Sequence, residues 1–390
     1  MQVVQAVSGV FHHFDLAREL ESRGYLRRIY STFPWRRLVR EGVPRERVGM
    51  FPWLHAPLIA FEQRWRLPRR LSRELHTANL EFFDNWIAAR IEPCDVFVTL
   101  SGTGLKTGAL VQRRGGSFVC DRGSTHIRYQ DRILSEEFAR WGFDTQICDP
   151  RVIRLEEAEY AQADAITVPS SFARRSFLEM GIPGDKVHAI PYGVRLDRFQ
   201  KTGAPASDSF DVLFAGTVGL RKGVPYLLEA FQQFHHPRKR LRLAGPVDAN
   251  MKHVFPRFDL TGVEILGRQP QHKLARLMSA SHVMVLPSIE EGLALVQGQA
   301  LACGCPLISS LHTGGEDLFS DGVEGFLVPV RSPQEILSRL IQLAEDPHLR
   351  QRMSEAALKR VRTLGGWRDY GDAYSALLQK LTAGRRRAEV

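Results

Sequence analysis

The chain has 390 residues, 44% of them hydrophobic, enough to bury more than one core, and its length predicts two domains. Its five cysteines (Cys94, Cys120, Cys148, Cys303 and Cys305) are scattered and odd in number, which argues against a disulfide framework, and the Cys303-Gly304-Cys305 pair has no counterpart with which to hold zinc. Those cysteines, no basic leader in residues 1–10 and no apolar run of bilayer length together predict a cytoplasmic protein, and the net charge is +10.

In chain order, short apolar runs alternate with segments of helical spacing, the pattern of an α/β protein with parallel sheets. Strands are expected at 2–7, 95–100, 117–120 and 165–169, with a helix over 14–23 after the first. Residues 31–73 hold ten arginines (36, 37, 40, 45, 47, 64, 66, 69, 70 and 73) against Glu41, Glu46 and Glu62, a local charge of +7. Trp35, Trp53, Trp65, Phe33, Phe51 and Phe61 are interleaved with them. Anionic membranes favour that mixture, because guanidinium groups meet headgroups while aromatic rings settle at the same depth. A solvated, Arg-rich helical surface accounts for it equally well, and no nucleic-acid module accompanies it. The glycine-rich run 101–108 (SGTGLKTG) lacks the Gly-Lys-Ser/Thr ending of a phosphate-binding P-loop and reads as a strand-end turn lining a cleft.

A polar stretch, 201–209, reads as a linker. Beyond it, strands are expected at 211–216, 241–245, 263–266, 282–287, 306–309 and 325–328. Leu227, Leu228, Phe231 and Phe234 keep helical spacing, as do Ile336, Leu337, Leu340 and Leu343. The expectation is two doubly wound, Rossmann-like domains facing across a cleft, 1–190 and 210–365, with 191–209 as hinge and linker and 366–390 as a terminal extension.

Two segments carry chemistry. In 214–230 a strand ends at Gly216, a loop presents Arg221 and Lys222, and a helix starts near Gly223. Ligands of open α/β sheets bind at this end of the strands, helix N-termini favour anions, and an Arg fork with a Lys point charge suits phosphate. A solvated basic turn is the plain alternative. In 290–308 (EEGLALVQGQALACGCPLI) Glu291 stands before a helix beginning near Leu295, which would aim a second dipole at the same crevice. The absence of G-x-G-x-x-G counts against a dehydrogenase, and no Asp-x-Asp metal motif is present.

Glu291 to Ile308 resembles the E-x7-E segment of retaining glycosyltransferases of family 4, which have the GT-B fold. Residues 214–230 are similar to that family's phosphate loop, 168–173 (VPSSFA) and 190–194 (IPYGV) to its interdomain strand and hinge, and 314–322 with 325–328 to its closing βαβ unit. The resemblance covers about residues 155 to 330.

It implies a hexosyltransferase that moves a sugar, with retention, from a nucleotide diphosphate sugar to a glycan, lipid-linked or small-molecule acceptor. Arg221 and Lys222 would neutralise the departing diphosphate, and Glu291 would hydrogen-bond the transferred sugar. Backbone groups of Leu293, Ala294, Leu295 and Val296, with Gly216, would complete the phosphate site, and Gly9 would let the diphosphate approach or else serve a first-strand turn. Gln299 would meet the donor ribose where the family has a second acid, and Thr217 stands where many members have arginine. His126, in 120–126 (CDRGSTH), would face the donor sugar or the leaving oxygen, or else is one of the commoner structural histidines; Asp121 and Arg122 are candidates too, or else an internal ion pair. With two cations and helix dipoles at the phosphate, no metal or other cofactor is expected. His12-His13 has no third ligand nearby in sequence, so no metal is assigned there either. The last helix, 367–381, would return onto the first domain before a disordered tail at 384–390. A nucleotide-sugar epimerase of the same fold and a non-catalytic basic scaffold for polyanions or the inner face of a membrane remain as alternatives.

Overall fold

The computed structural model describes residues 1–388 apart from 66 and 195–197, with the side chains of 63, 64, 69, 70 and 385–388 also outside the description. Among the arginines of the basic stretch, 64, 66, 69 and 70 therefore lie outside the described side chains. Two wholly parallel sheets organise the chain. The first contains β1 (Val3–Val7), β2 (Leu26–Ser31), β3 (Val48–Met50), β4 (Val96–Leu100), β5 (Ser117–Asp121), β6 (Ala165–Val168) and β7 (Val187–Ala189), in the order β3-β2-β1-β4-β5-β6-β7. The second contains β8 (Phe210–Ala215), β9 (Lys239–Ala244), β10 (Val263–Gly267), β11 (Val283–Leu286), β12 (Leu307–Ser310) and β13 (Gly325–Val328), in the order β10-β9-β8-β11-β12-β13. Every residue of β1 and of β8 is buried, as strands covered by helices on both faces require. Strand order reverses beside β1 and beside β8, so each sheet opens a crevice beyond the carboxyl ends of its central strands.

Three strands lie outside the sequence expectation: β2, β3 and β7. In β2 (LRRIYS) Arg27 and Arg28 break the apolar run, and both pair with Glu92, at 2.6 and 2.8 Å. β3 and β7 are three-residue edge strands, too short to give a periodic signal. In β3 the glycine is required by packing, since a Cβ at Gly49 would lie 2.3 Å from the Tyr30 ring.

The closing helix Trp367–Ala388 packs on His13–Ser22 of the first sheet's layer and runs past the expected end at 381. Tyr370, Tyr374 and Leu378 are buried with Phe14, Ala17 and Leu20 in one core, and Arg23 pairs with Asp372 at 2.6 Å. Contact is close enough that a Cβ at Gly371 would meet the Glu19 Cβ at 2.6 Å. The same core holds Leu213, Ala300 and Leu307 of the second sheet's layers, so apolar packing is continuous through the hinge.

Candidate active site

The phosphate-loop candidate leaves β8 at Ala215 and enters the helix Val224–Gln233 through Gly223. Gly223 has φ of 66°, and a Cβ there would sit 1.9 Å from the carbonyl oxygen of Pro287. Glycine at this point thus lets the loop lie against the end of β11, and the amide of Ile289 donates to the Arg221 carbonyl at 2.8 Å. The consequence is a row of two ion pairs. Lys222 Nζ bonds Glu291 Oε1, which also accepts from Ser288 Oγ at 3.0 Å. Arg221 Nη2 meets Glu290 Oε2 at 3.0 Å while its Nε donates to the Glu290 carbonyl at 3.2 Å.

Glu290 has no place among the residues expected from sequence, yet it is the most fully engaged acid of the cleft. It is wholly buried and accepts from Ser124 Oγ at 2.6 Å, Thr125 Oγ1 at 2.7 Å and Gln130 Nε2 at 2.8 Å. Burial alone would raise its pKa, but the Arg221 charge and these hydrogen bonds outweigh burial and hold it at about 2. Its only sequence signal is a second acid beside Glu291 in an otherwise apolar segment.

The helix Leu295–Ala302 begins beside these pairs. Ala294 N–H is already engaged by the Thr313 carbonyl at 3.1 Å, whereas no acceptor among the described residues meets the N–H groups of Leu293, Leu295 or Val296. Those three are the amides left for an anion. Gln299 is half-buried, with no side-chain hydrogen bond to the described residues. Its neighbour Gln297 differs: it is fully buried and bonded to Ala294 O, Thr313 O and Thr313 Oγ1. Gly216 has φ of 149°, and its carbonyl oxygen lies so near Gly245 that a Cβ there would be 1.7 Å away.

The N-terminal candidates fall in different places. His126 caps the helix Ile127–Arg140, its ring accepting from Arg128 N–H at 3.2 Å, and stands 5.0 Å from the rings of Tyr160 and Phe177. It is 3% exposed, and burial lowers its pKa to about 4. A helix-capping role inside the first core accounts for this histidine without a ligand. Arg122 adopts the internal ion-pair alternative, meeting Glu156 at 2.9 Å, Gln130 at 2.9 Å and the Thr125 carbonyl at 3.0 Å. Gly9 has φ of 104°, and a Cβ would find ordinary contacts at 3.5 Å, so backbone conformation rather than space requires glycine there.

Asp121, at the end of β5, binds His12 Nε2 at 2.6 Å and lies 3.4 Å from His13 Nε2. The third potential ligand that sequence lacks beside His12-His13 is therefore supplied in space, with all three donor atoms within 4.8 Å of one another. However, donors sharing one zinc ion at about 2.0–2.2 Å stay roughly 3 Å or more apart, so 2.6 Å fits a His12–Asp121 hydrogen bond better than a common metal. The His12 ring also lies tilted against Tyr192, 4.3 Å between centroids, at the hinge.

The glycine-rich turn after β4 is filled from within. Gly102 and Gly104 N–H groups donate to Glu159 at 2.5 and 2.7 Å, so the amides that could have cradled phosphate hold a carboxyl group instead. Glu159 is fully buried, which pushes its pKa up to about 8 despite those two bonds. The folded value exceeds the unfolded one, so the folded state binds more protons between about 4.5 and 8 and stability falls as pH rises through that window. Replacing Glu159 by Gln removes this term. Melting curves should therefore show wild type losing roughly 3 kcal/mol relative to Glu159→Gln between pH 5 and 8; parallel curves would refute the assignment.

Across the seam, a Cβ at Gly292 would lie 2.2 Å from the Gly123 carbonyl oxygen, and Ser171 N and Oγ both donate to Asp317 at 2.7 Å. A 380 Å³ cavity lined by Lys201, His282 and Arg350 lies at the linker and contains none of the candidate residues.

Residues 197–360 match the family model described as Glycosyl transferases group 1, and residues 122–198 match that of Glycosyltransferase Family 4. The fold is that of the GT-B class, and the two matched stretches are similar to glycosyl transferases of group 1 and of family 4. The D-inositol 3-phosphate glycosyltransferase of Frankia alni is 30% identical in an alignment of 204 positions that covers 46% of this chain and 50% of that protein. The chain spans about half the length of the curated relatives it matches. Sucrose-phosphate synthase of Thermosynechococcus elongatus superposes with a TM-score of 0.72 at 20% identity, over 98% of this chain and 100% of that one. HepE of Anabaena, in complex with UDP, gives 0.69 at 15% identity, over 97% and 100%. These two likenesses concern the fold.

Proposed function

We propose that the chain is a retaining hexosyltransferase that takes its sugar from a nucleoside diphosphate donor and gives it to a glycan, lipid-linked or small-molecule acceptor. The observation that carries this reading is the pairing of Lys222 with Glu291 at the carboxyl ends of β8 and β11, beside a helix N-terminus whose Leu293, Leu295 and Val296 amides meet no acceptor among the described residues. HepE, of the same fold, binds UDP and UDP-glucose, which supports a nucleotide-sugar donor.

Glycosyl transfer develops positive charge on the sugar ring and negative charge on the departing diphosphate, so cations fixed beforehand at the phosphate lower the barrier. Lys222, Arg221 and the amides of Leu293, Leu295 and Val296 supply that charge. Without donor, Lys222 and Glu291 neutralise each other. With donor, the ammonium turns to phosphate and the carboxylate to hydroxyls of the transferred sugar, while Gln299 takes the ribose. Incubation with a panel of nucleoside diphosphate hexoses and candidate acceptors tests the reading through nucleotide release and the anomeric configuration of the product. Transfer with retention is expected, whereas donor epimerisation without transfer would overturn it. Since protein groups carry the neutralising charge, turnover should be unchanged in EDTA; loss restored by magnesium would refute that part.

The basic stretch is proposed to dock on an anionic membrane, which would bring a lipid-linked acceptor within reach. No described helix is long and apolar enough to cross a membrane. Around the paired helices His55–Arg64 and Arg69–Ala88, however, Trp53 (72%), Trp65 (61%), Phe82 (57%) and Phe61 (48%) are exposed. Large aromatic rings beside arginines suit the headgroup layer. Flotation with phosphatidylglycerol vesicles should show binding that weakens as salt rises and falls in Trp53→Ala/Trp65→Ala. Binding that ignores lipid charge and salt would leave only a solvated surface.

A further inference from the structure

Glu290 belongs to the loop after β11, but most of its hydrogen bonds come from the other sheet's domain. Ser124 Oγ, Thr125 Oγ1 and Gln130 Nε2 reach it at 2.6, 2.7 and 2.8 Å, and Thr125 N–H adds a longer bond at 3.3 Å. With Arg221 Nη2 at 3.0 Å, its two oxygens have little accepting capacity left. None of the three N-terminal residues is charged, so Arg221 is the cation in direct contact with the buried carboxylate and the opposite domain supplies its other hydrogen bonds. Pulling the domains apart would remove the second group of partners at once.

The Arg221 side of the contact points to a use. Its Nε and Nη2 are held by the carbonyl and carboxylate of Glu290, which leaves Nη1 with no partner among the described residues on a side chain 41% exposed. A guanidinium anchored along one edge presents its other edge in a fixed orientation, the arrangement that bidentate phosphate recognition needs. The anchor itself is rigid only while Ser124, Thr125 and Gln130 hold it.

We propose that Glu290 is a positioning residue that clasps the two domains and, in the clasped state, presents Arg221 to the donor diphosphate. Closure and diphosphate capture are then coupled through one carboxylate, and by reciprocity a bound diphosphate favours the closed form. The inference rests on the proposed function for its binding arm only; the clasp exists or fails independently of what the cleft binds.

Small-angle scattering and calorimetry on the full chain test it with Thr125→Val and Gln130→Leu, which cut the clasp from the far domain without touching the loop, and with Glu290→Gln, which keeps shape but removes the charge. Thermal melts confirm that each variant is folded. UDP and GDP are the probes. The radius of gyration should increase in all three variants, and affinity for the nucleotide that binds wild type should fall about threefold to tenfold in the two far-domain variants and more in Glu290→Gln. The telling result is weaker nucleotide binding in Thr125→Val, since a merely structural threonine outside the donor loop would not move it. Wild-type dimensions and wild-type affinity in Thr125→Val and Gln130→Leu would overturn the clasp. If wild type binds neither nucleotide, the proposed donor fails while scattering still decides whether Glu290 holds the domains together.

Discussion

Lys222→Ala should lower turnover by roughly tenfold to a hundredfold or more, the effect of losing a charge-assisted contact worth about 1.5–3 kcal/mol at the departing diphosphate. The geometry adds a second expectation. Lys222 is the ammonium partner of Glu291, whose side chain is only 9% exposed, so the alanine variant leaves a poorly solvated carboxylate without its cation. Part of the loss should therefore come from Glu291 rather than from the phosphate. A double-mutant cycle separates the two: Glu291→Gln in the Lys222→Ala background should cost much less than Glu291→Gln alone, because the residues share one contact. Steady-state kinetics with the donor identified by the panel reads both terms. Unchanged kinetics in Lys222→Ala and Arg221→Ala would remove the donor site from this loop, and strict additivity would mean that the pair acts as two separate residues.

How much of this site is legible in the sequence follows the range of the interactions. Strands β8, β11 and β13 announce themselves because each is a short, mostly apolar run bounded by glycine, proline or polar residues, and the loop of Arg221 and Lys222 is placed by the glycine before it and the apolar helix after it. β2 is hidden because its arginines find Glu92 only in three dimensions. Glu290 is hidden for a stronger reason: Ser124, Thr125 and Gln130 are 166, 165 and 160 positions away, and nothing local distinguishes the acid they bind from the one beside it. Asp121 illustrates the same limit, since its partner His12 is 109 residues distant. His126 shows the converse. A histidine following a strand invites a functional reading, while the tertiary structure gives it a helix to cap and two aromatic rings to pack against. Local pattern thus exposes elements and the loops between them; choosing among neighbouring polar residues requires partners that only the fold supplies.

Gln299→Leu is expected to raise the Michaelis constant for the donor, at about 1–3 kcal/mol, with a smaller effect on turnover, because it would leave ribose hydroxyls unpaired in the ground state and transition state alike. In the resembled family an acid stands here and can accept from two ribose hydroxyls. A glutamine keeps one acceptor oxygen and gains an N–H donor, so it still binds a diol if one hydroxyl offers a lone pair, and it brings no negative charge near the diphosphate. The side chain is half-buried, makes no hydrogen bond to the described residues and belongs to the helix whose first amides meet no acceptor among them, whereas Gln297 two positions earlier is fully committed to Thr313 and Ala294. Gln297→Leu is accordingly expected to act through stability and Gln299→Leu through donor affinity, a contrast read by comparing melting temperature with the Michaelis constant in the two variants. Gln299→Glu should be tolerated, because a carboxylate can take both ribose hydroxyls. Glu291→Gln should instead lower turnover, since its carboxylate is proposed to meet the reacting sugar. If donor binding is indifferent to Gln299→Leu, the residue is a helix side chain with no ligand, and the reading of the chain as a non-catalytic basic scaffold gains the advantage.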